Sequence, residues 1–190
     1  VLTLITGGAR SGKSRFAERL AADAGGSVVY LATLEPADEE MARRVEAHRR
    51  SRPATWRTVE EPLAVVEALA GARPFDVCVL DCLTLWVSNL LVAEGNDAIE
   101  REPDAVAGRI VERVSAVADW QAKHDATLIV VTNEVGAGLV PEYPIGRLFR
   151  DVLGEANQVM AAAASHVYLC VAGYALDLKA GGISIGGEGR

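Results

Sequence analysis

The sequence predicts an α/β fold, a mostly parallel sheet covered by helices on both faces. Three observations carry this class. Short apolar, β-branched runs recur along the chain, longer helical patterns separate them, and polar residues collect where several of the runs end. Strands that are apolar along their whole length are buried on both sides, and parallel strands need crossover connections. The 190 residues suit one domain with a substantial core, and a composition 50% hydrophobic and 24% charged suits a globular chain.

The elements follow in order. "LTLIT" (2–6) reads as a buried strand. "KSRFAERLAADAGG" (13–26) reads as a helix closed by Gly25 and Gly26. "SVVYLAT" (27–33) is a second strand. "PADEEMARRVEAHRR" (36–50) is a helix with Pro early, acids in the first turn and bases in the last, an order that complements the macrodipole. A short helix spans 63–71, a strand 75–84 and a mostly buried helix 83–95. The polar stretch 95–105 reads as a loop. A long helix covers 104–123, a strand 127–136, a helix 144–164 and the last strong strand 166–173. The Gly-rich end reads as a loose tail. Residues 1–174 are thus expected to form a single domain and 175–190 a tail, with no internal repeat and no interdomain linker.

Charge and composition exclude several classes. The net charge of −7 argues against a general nucleic-acid or anionic-membrane surface. Cys78, Cys82 and Cys170 form no CxxC pair, which suits core thiols in a reducing compartment. No apolar stretch approaches the ~20 residues that span a bilayer. The first residues enter an apolar run with no basic leader, so no signal peptide and a cytoplasmic location are expected. His124 reads as a surface-loop residue and His166 as a structural strand residue. The three tryptophans read as core or rim.

"GGARSGKS", Gly7 to Ser14, fits G-x-x-x-x-G-K-[ST] and stands between a predicted strand and a predicted helix. Gly7, Gly8, Ala9, Arg10, Ser11 and Gly12 would turn backbone amides around phosphate oxygens, with the positive helix end behind them. Lys13 would reach the β- and γ-phosphates, and the Ser14 hydroxyl would ligate Mg2+. With this loop the fold class becomes a P-loop NTPase-type three-layer sandwich. Ligands of such sheets bind beyond the carboxyl ends of the strands. Three polar strand ends should therefore converge: Thr6-Gly7-Gly8, Asp81-Cys82-Leu83-Thr84 and Thr132-Asn133-Glu134. Asp81 is the expected holder of the metal. Glu134 could position an attacking group, hold a nucleotide hydroxyl or cap the next segment. "TNEV" is not the N-K-x-D guanine reader.

"VEAHRRSRP" (45–53) places His48 in a run of arginines within an acidic chain. Neighbouring guanidinium charges disfavour a second cation and favour neutral, nucleophilic imidazole. The same arginines could neutralise a polyphosphate. A solvated helix end is the other reading of the same residues.

The runs "TGGARSGKS", "YLAT", "DEEMARRVEAHRRSRPATWRTVEEP", "LDCLTLWVSNLL", "VVTNEVGAGLVPE" and "GRLFRDVLGEANQVMAAAASHVYLCVAG" together resemble the bifunctional adenosylcobinamide kinase / adenosylcobinamide-phosphate guanylyltransferase family of cobalamin assembly. The resemblance covers residues 2 to about 174. It implies that the aminopropanol hydroxyl of adenosylcobinamide attacks the γ-phosphate of ATP or GTP. It also implies that a histidine, matched by His48, attacks the α-phosphate of GTP and passes GMP to the phosphorylated corrinoid. By the same resemblance Ala32, Thr33 and Leu34 match a nucleotide-contacting strand end, and Arg49, Arg50, Ser51 and Arg52 the segment that contacts GTP. Glu60 matches an acid at the ribose or base, and Cys82 adjoins the metal-holding Asp81 at a nucleotide-binding strand end. Leu34 departs from the more polar residues expected there, and Asp81 stands where relatives carry Glu. A homotrimer is implied. A single-activity P-loop kinase, and a nucleotide-dependent switch without transfer chemistry, are the competing readings.

Overall fold

In a computed structural model of the chain, residues 1–34, 49 and 52–183 are described. Seven strands form one sheet: β1 (Leu2–Gly7), β2 (Val28–Ala32), β3 (Arg57–Glu60), β4 (Val77–Asp81), β5 (Thr127–Val131), β6 (His166–Val171) and β7 (Tyr174–Asp177). Their order is β3-β2-β4-β5-β1-β6-β7. Every pairing is parallel except that of β6 with β7. The helices among the described residues are α1 (Lys13–Ala24), α2 (Val65–Gly71), α3 (Leu83–Glu94), α4 (Asn96–Arg101), α5 (Pro103–Ala122), α6 (Pro144–Ala163) and α7 (Leu178–Gly181).

Alternation along the strands builds the three layers. Leu2, Leu4, Val29, Leu31, Cys78, Leu80, Leu128 and Val130 face one side and pack with α2, α3, α5 and α6. Ile5, Val28, Tyr30, Val77, Val79, Ile129 and Val131 face the other and pack with Phe16, Ala17, Leu20 and Ala21 of α1. Successive side chains point to opposite faces, so a strand apolar at every position must be covered twice. The expected three-layer α/β class is the observed one.

Three local expectations are corrected. The polar stretch 95–105 is helical over Asn96–Arg101, because Ile99 reaches the core. The positive φ of Gly95 separates this helix from α3. A strand that no sequence signal announced, β3, pairs with β2, and its Val59 packs on the core. The tail expected from residue 175 begins instead as structure: β7 pairs with β6, and the Asp177 carboxylate caps α7 by accepting from the amides of Lys179 and Ala180. The helix expected over 36–50 lies outside the described residues, apart from Arg49, which is helical and exposed.

Asp76 pins the starts of β2 and β4 together. Its Oδ2 accepts from Ser27 N and Ser27 Oγ, both at 2.7 Å. The Ser27 amide and hydroxyl hold this carboxyl below the usual carboxylate range. Folding therefore favours its charged form. The contribution is complete above the ordinary carboxylate pKa and is lost as pH falls through the lower folded value. In thermal melts from neutral to acid pH, Asp76→Asn should be the less stable protein at neutral pH and should converge with the parent in acid.

Candidate active site

The polar ends of β1, β4 and β5 converge because hydrogen bonds take over where the ladders stop. Thr132 N donates to Ile5 O at 2.9 Å, and Glu134 N donates to Gly7 O at 3.2 Å. Asn133 N donates to Thr84 Oγ1 at 2.7 Å, and Thr132 Oγ1 donates to Asn157 Oδ1 at 2.7 Å. With its proton so used, Thr132 accepts from Thr84 Oγ1 at 3.3 Å. The network ties β5 to α3 and α6, and it explains why the strand stops at Val131 rather than at 136.

The loop Gly7–Gly12 leads from β1 into α1 as expected. Two of its glycines are required by geometry. A Cβ on Gly7 would lie 2.2 Å from Cys170 O, a backbone atom of β6 that has nowhere to go, and Gly12 has φ +100°. The turn between β6 and β7 supports the loop, since Gly173 N donates to Ser11 O at 3.0 Å. Ser11 Oγ is buried without a hydrogen-bond partner among the described residues. The N-terminus of α1 has no side-chain cap and no acid in its first turn. Its positive end is left to whatever the loop holds, which suits an anion.

Lys13 begins that helix and is buried, with Nζ donating to Gly8 O at 2.8 Å. Burial lowers its pKa, and the charge of Asp81 works against that shift. The lysine and the acid at the end of β4 are therefore close enough to act on each other. Asp81 Oδ2 accepts from the Tyr30 hydroxyl, while Oδ1 has no hydrogen-bond partner among the described residues. Ser14, half-buried, follows Lys13 in the first turn of α1. Among the described residues no group of three or more His, Cys, Asp or Glu could hold a metal.

The remaining expected residues fall in different places. Ala32 and Leu34 are half-buried at the end of β2, and exposed Glu60 pairs in register with Ala32. Thr33 is fully buried, and its hydroxyl is committed to Cys82, donating to the carbonyl at 2.8 Å and accepting from the amide at 3.0 Å. This hydroxyl braces the β4 end. Cys82 is buried, caps α3 by accepting from Leu85 N at 3.4 Å, and burial pushes its thiol up to about 12. It is a neutral structural thiol. Glu134 is exposed, and its Oε1 accepts from Gly136 N at 2.8 Å, which is the capping alternative. Arg10 is exposed at the loop with φ 56°. His48, Arg50 and Ser51 lie outside the described residues. The Arg52 guanidinium lies 3.3 Å from the Tyr30 ring centroid and 3.6 Å from Glu18 Oε1. A planar cation stacks well on an aromatic face, so a buried tyrosine outcompetes solvent for it.

Sequence reasoning missed three contributors. Tyr30 was legible only as a polar tip in an apolar strand. Asn89 donates to Thr33 O at 2.8 Å and Pro62 O at 3.1 Å, holding two chain ends beside the site. An Asn inside the buried helix "LWVSNLLV" was its signal. The β6–β7 turn, Ala172 and Gly173, was read as the end of the last strand. His124, read as a surface loop residue, is half-buried and stacked on Trp120, with ring centroids 4.3 Å apart.

A glycine loop closing into an uncapped helix, a lysine lying across it and a carboxylate at the end of β4, the next strand but one in the sheet, define a P-loop nucleotide-binding protein. Comparison narrows the class. Residues 3–178 match the family described as cobinamide kinase / cobinamide phosphate guanyltransferase. The chain is 43% identical over 186 residues to the bifunctional adenosylcobalamin biosynthesis protein CobU of Escherichia coli K12, covering 94% of this chain and 100% of that one. It is 42% identical over 177 residues to the bifunctional adenosylcobalamin biosynthesis protein CobP of Pseudomonas aeruginosa, covering 93% and 96%. The chain belongs to the cobinamide kinase / cobinamide phosphate guanyltransferase family. Among solved structures, the ATP synthase subunit NeqB of Nanoarcheaum equitans aligns with a TM-score of 0.54 at 13% identity, over 97% of this chain and 52% of that one. A type III secretion ATPase aligns at 0.50 and 13%, over 97% and 59%. These two likenesses concern the fold.

Proposed function

We propose that this chain carries out both reactions of its family. In the first, the aminopropanol hydroxyl oxygen of adenosylcobinamide attacks the γ-phosphorus of ATP or GTP. The bond to the β,γ-bridging oxygen breaks, the diphosphate leaves with the electron pair, and the hydroxyl proton is lost to solvent or a base. In the second, a neutral His48 nitrogen attacks the α-phosphorus of GTP and pyrophosphate leaves. An oxygen of adenosylcobinamide phosphate then displaces the histidine from phosphorus, giving adenosylcobinamide-GDP and restoring the imidazole.

The supporting observation is the convergence of Gly7–Ser14 and Asp81 at one end of the sheet, in a chain matched over residues 3–178 to a family named for both activities. Loop amides and Lys13 would take the phosphates. Ser14 and Asp81 fit Mg2+, which takes few protein oxygens and otherwise waters and phosphate oxygens. When bound, the metal would neutralise charge on the transferring phosphates. Arg49, Arg50, Ser51 and Glu60 are assigned to GTP from the resemblance, as are Ala32, Thr33, Leu34, Arg52 and Cys82. The structure gives the Thr33, Arg52 and Cys82 side chains the bracing contacts described above. A homotrimer in the cytoplasm is the setting we assign. Exposed Val171, Tyr174 and Leu176 on the β6–β7 edge suit a subunit contact, and no helix among the described residues is long and apolar enough to cross a membrane.

The decisive assay supplies α-labelled GTP with adenosylcobinamide phosphate and follows pyrophosphate and labelled corrinoid, beside γ-labelled nucleotide with adenosylcobinamide. Both labelled corrinoids should form. Transfer from the γ-position alone, with no pyrophosphate, would establish a single-activity kinase.

A further inference from the structure

We propose that Tyr30 is a positioning residue for phosphoryl transfer: its hydroxyl holds one oxygen of Asp81 while Arg52 clamps its ring, leaving the other carboxylate oxygen available to the phosphate loop. The inference rests on the reading of Asp81 as the carboxylate that serves the magnesium and phosphates.

Tyr30 is the polar-tipped member of the apolar strand Val28–Ala32 and is 2% exposed. In the sheet it pairs in register with Val79, and its hydroxyl reaches forward to Asp81 at the strand's end. A carboxylate with a free χ1 and χ2 has several rotamers, and a metal shared with Ser14 would restrict them. A buried donor on Oδ2 selects among them. The phenol has one proton to donate, and the structure directs it to Oδ2.

The ring is itself fixed. Arg52 covers one face at 3.3 Å, with a side chain only 8% exposed. Glu18 of α1 faces the same guanidinium at 3.6 Å, yet Arg52 Nε and Glu18 Oε1 are both buried without a hydrogen bond. An ion pair this loosely made contributes little by itself. The same guanidinium covers the Tyr30 ring. Among the described residues, the charged groups that act on the phenol are Asp81, Arg52 and Glu18. Thus Glu18, Arg52, Tyr30 and Asp81 form a continuous chain of contacts from α1 to the phosphotransfer site. It also links the segment just after His48 to the metal-holding carboxylate.

The test compares the parent, Tyr30→Phe and Asp81→Asn in γ-phosphoryl transfer to adenosylcobinamide across a Mg2+ titration. Tyr30→Phe keeps the ring and its Arg52 contact and removes only the donor. We expect its half-saturating Mg2+ to rise about tenfold. Its nucleotide affinity measured without Mg2+, and its melting temperature, should stay near those of the parent. Asp81→Asn should shift the Mg2+ dependence at least as far. A general structural defect would instead weaken nucleotide binding with and without metal. If Asp81→Asn responds and Tyr30→Phe does not, Tyr30 has no positioning role. If Asp81→Asn leaves the Mg2+ dependence unchanged, the reading of Asp81 fails and the proposal fails with it.

Discussion

Lys13→Met should lower kcat/KM for γ-phosphoryl transfer by about 10²–10³-fold while leaving the protein at least as stable as the parent. The two halves of this expectation have one cause. Lys13 is buried at the start of α1, where burial disfavours its charge and the Asp81 charge offsets part of that cost. A charge kept in a poorly solvated place is costly to the fold and valuable to a transition state that gathers negative charge on phosphate oxygens. Methionine fills much of the same volume without the charge. Steady-state kinetics and a thermal melt on the same preparation check both halves. A variant that lost stability together with activity would show that Lys13 chiefly holds the loop through its bond to Gly8 O, which is 2.8 Å long.

His48→Asn should abolish covalent labelling by α-labelled GTP and the formation of adenosylcobinamide-GDP, with γ-phosphoryl transfer retained. The reason lies in the division of labour. On the proposed reading the kinase step uses the loop, Lys13 and Asp81, none of which depends on an imidazole. The nucleotidyl step needs a neutral nitrogen at the α-phosphorus. In the parent the adduct should be acid-labile and base-stable, as a phosphorus–nitrogen bond is, and should form without corrinoid. Retained labelling in the variant would assign the nucleophile elsewhere. Loss of both activities would mean that His48 supports the shared nucleotide site rather than one reaction.

Much of this was readable before any coordinates. Strand and helix alternation, buried runs such as "VCVL", and the loop "GGARSGKS" placed the class and the glycine turn between the first strand and helix, because each is local. A double-sided apolar strand, a helix cap and a glycine turn depend on neighbours a few residues away. The misses were not local. β3 is a strand only because β2 offers it an edge. Asn96–Arg101 is a helix because Ile99 finds the core. Residues 174–177 are a strand because Ala172 and Gly173, both at positive φ, turn them back onto β6.

The sequence by itself determined that a glycine-rich P-loop follows the first strand and that an acid, Asp81, ends a later apolar one, since backbone conformation and side-chain chemistry are set residue by residue. Only the tertiary structure decided what those groups do to one another. It spent the Thr33 hydroxyl on Cys82, turned Arg52 onto Tyr30 and gave Asp81 a phenol as its partner. The physical reason is that a hydrogen bond or stacked cation is made with whichever group folding brings within reach. Those groups are 22 residues apart for Arg52 and Tyr30, and 51 apart for Tyr30 and Asp81.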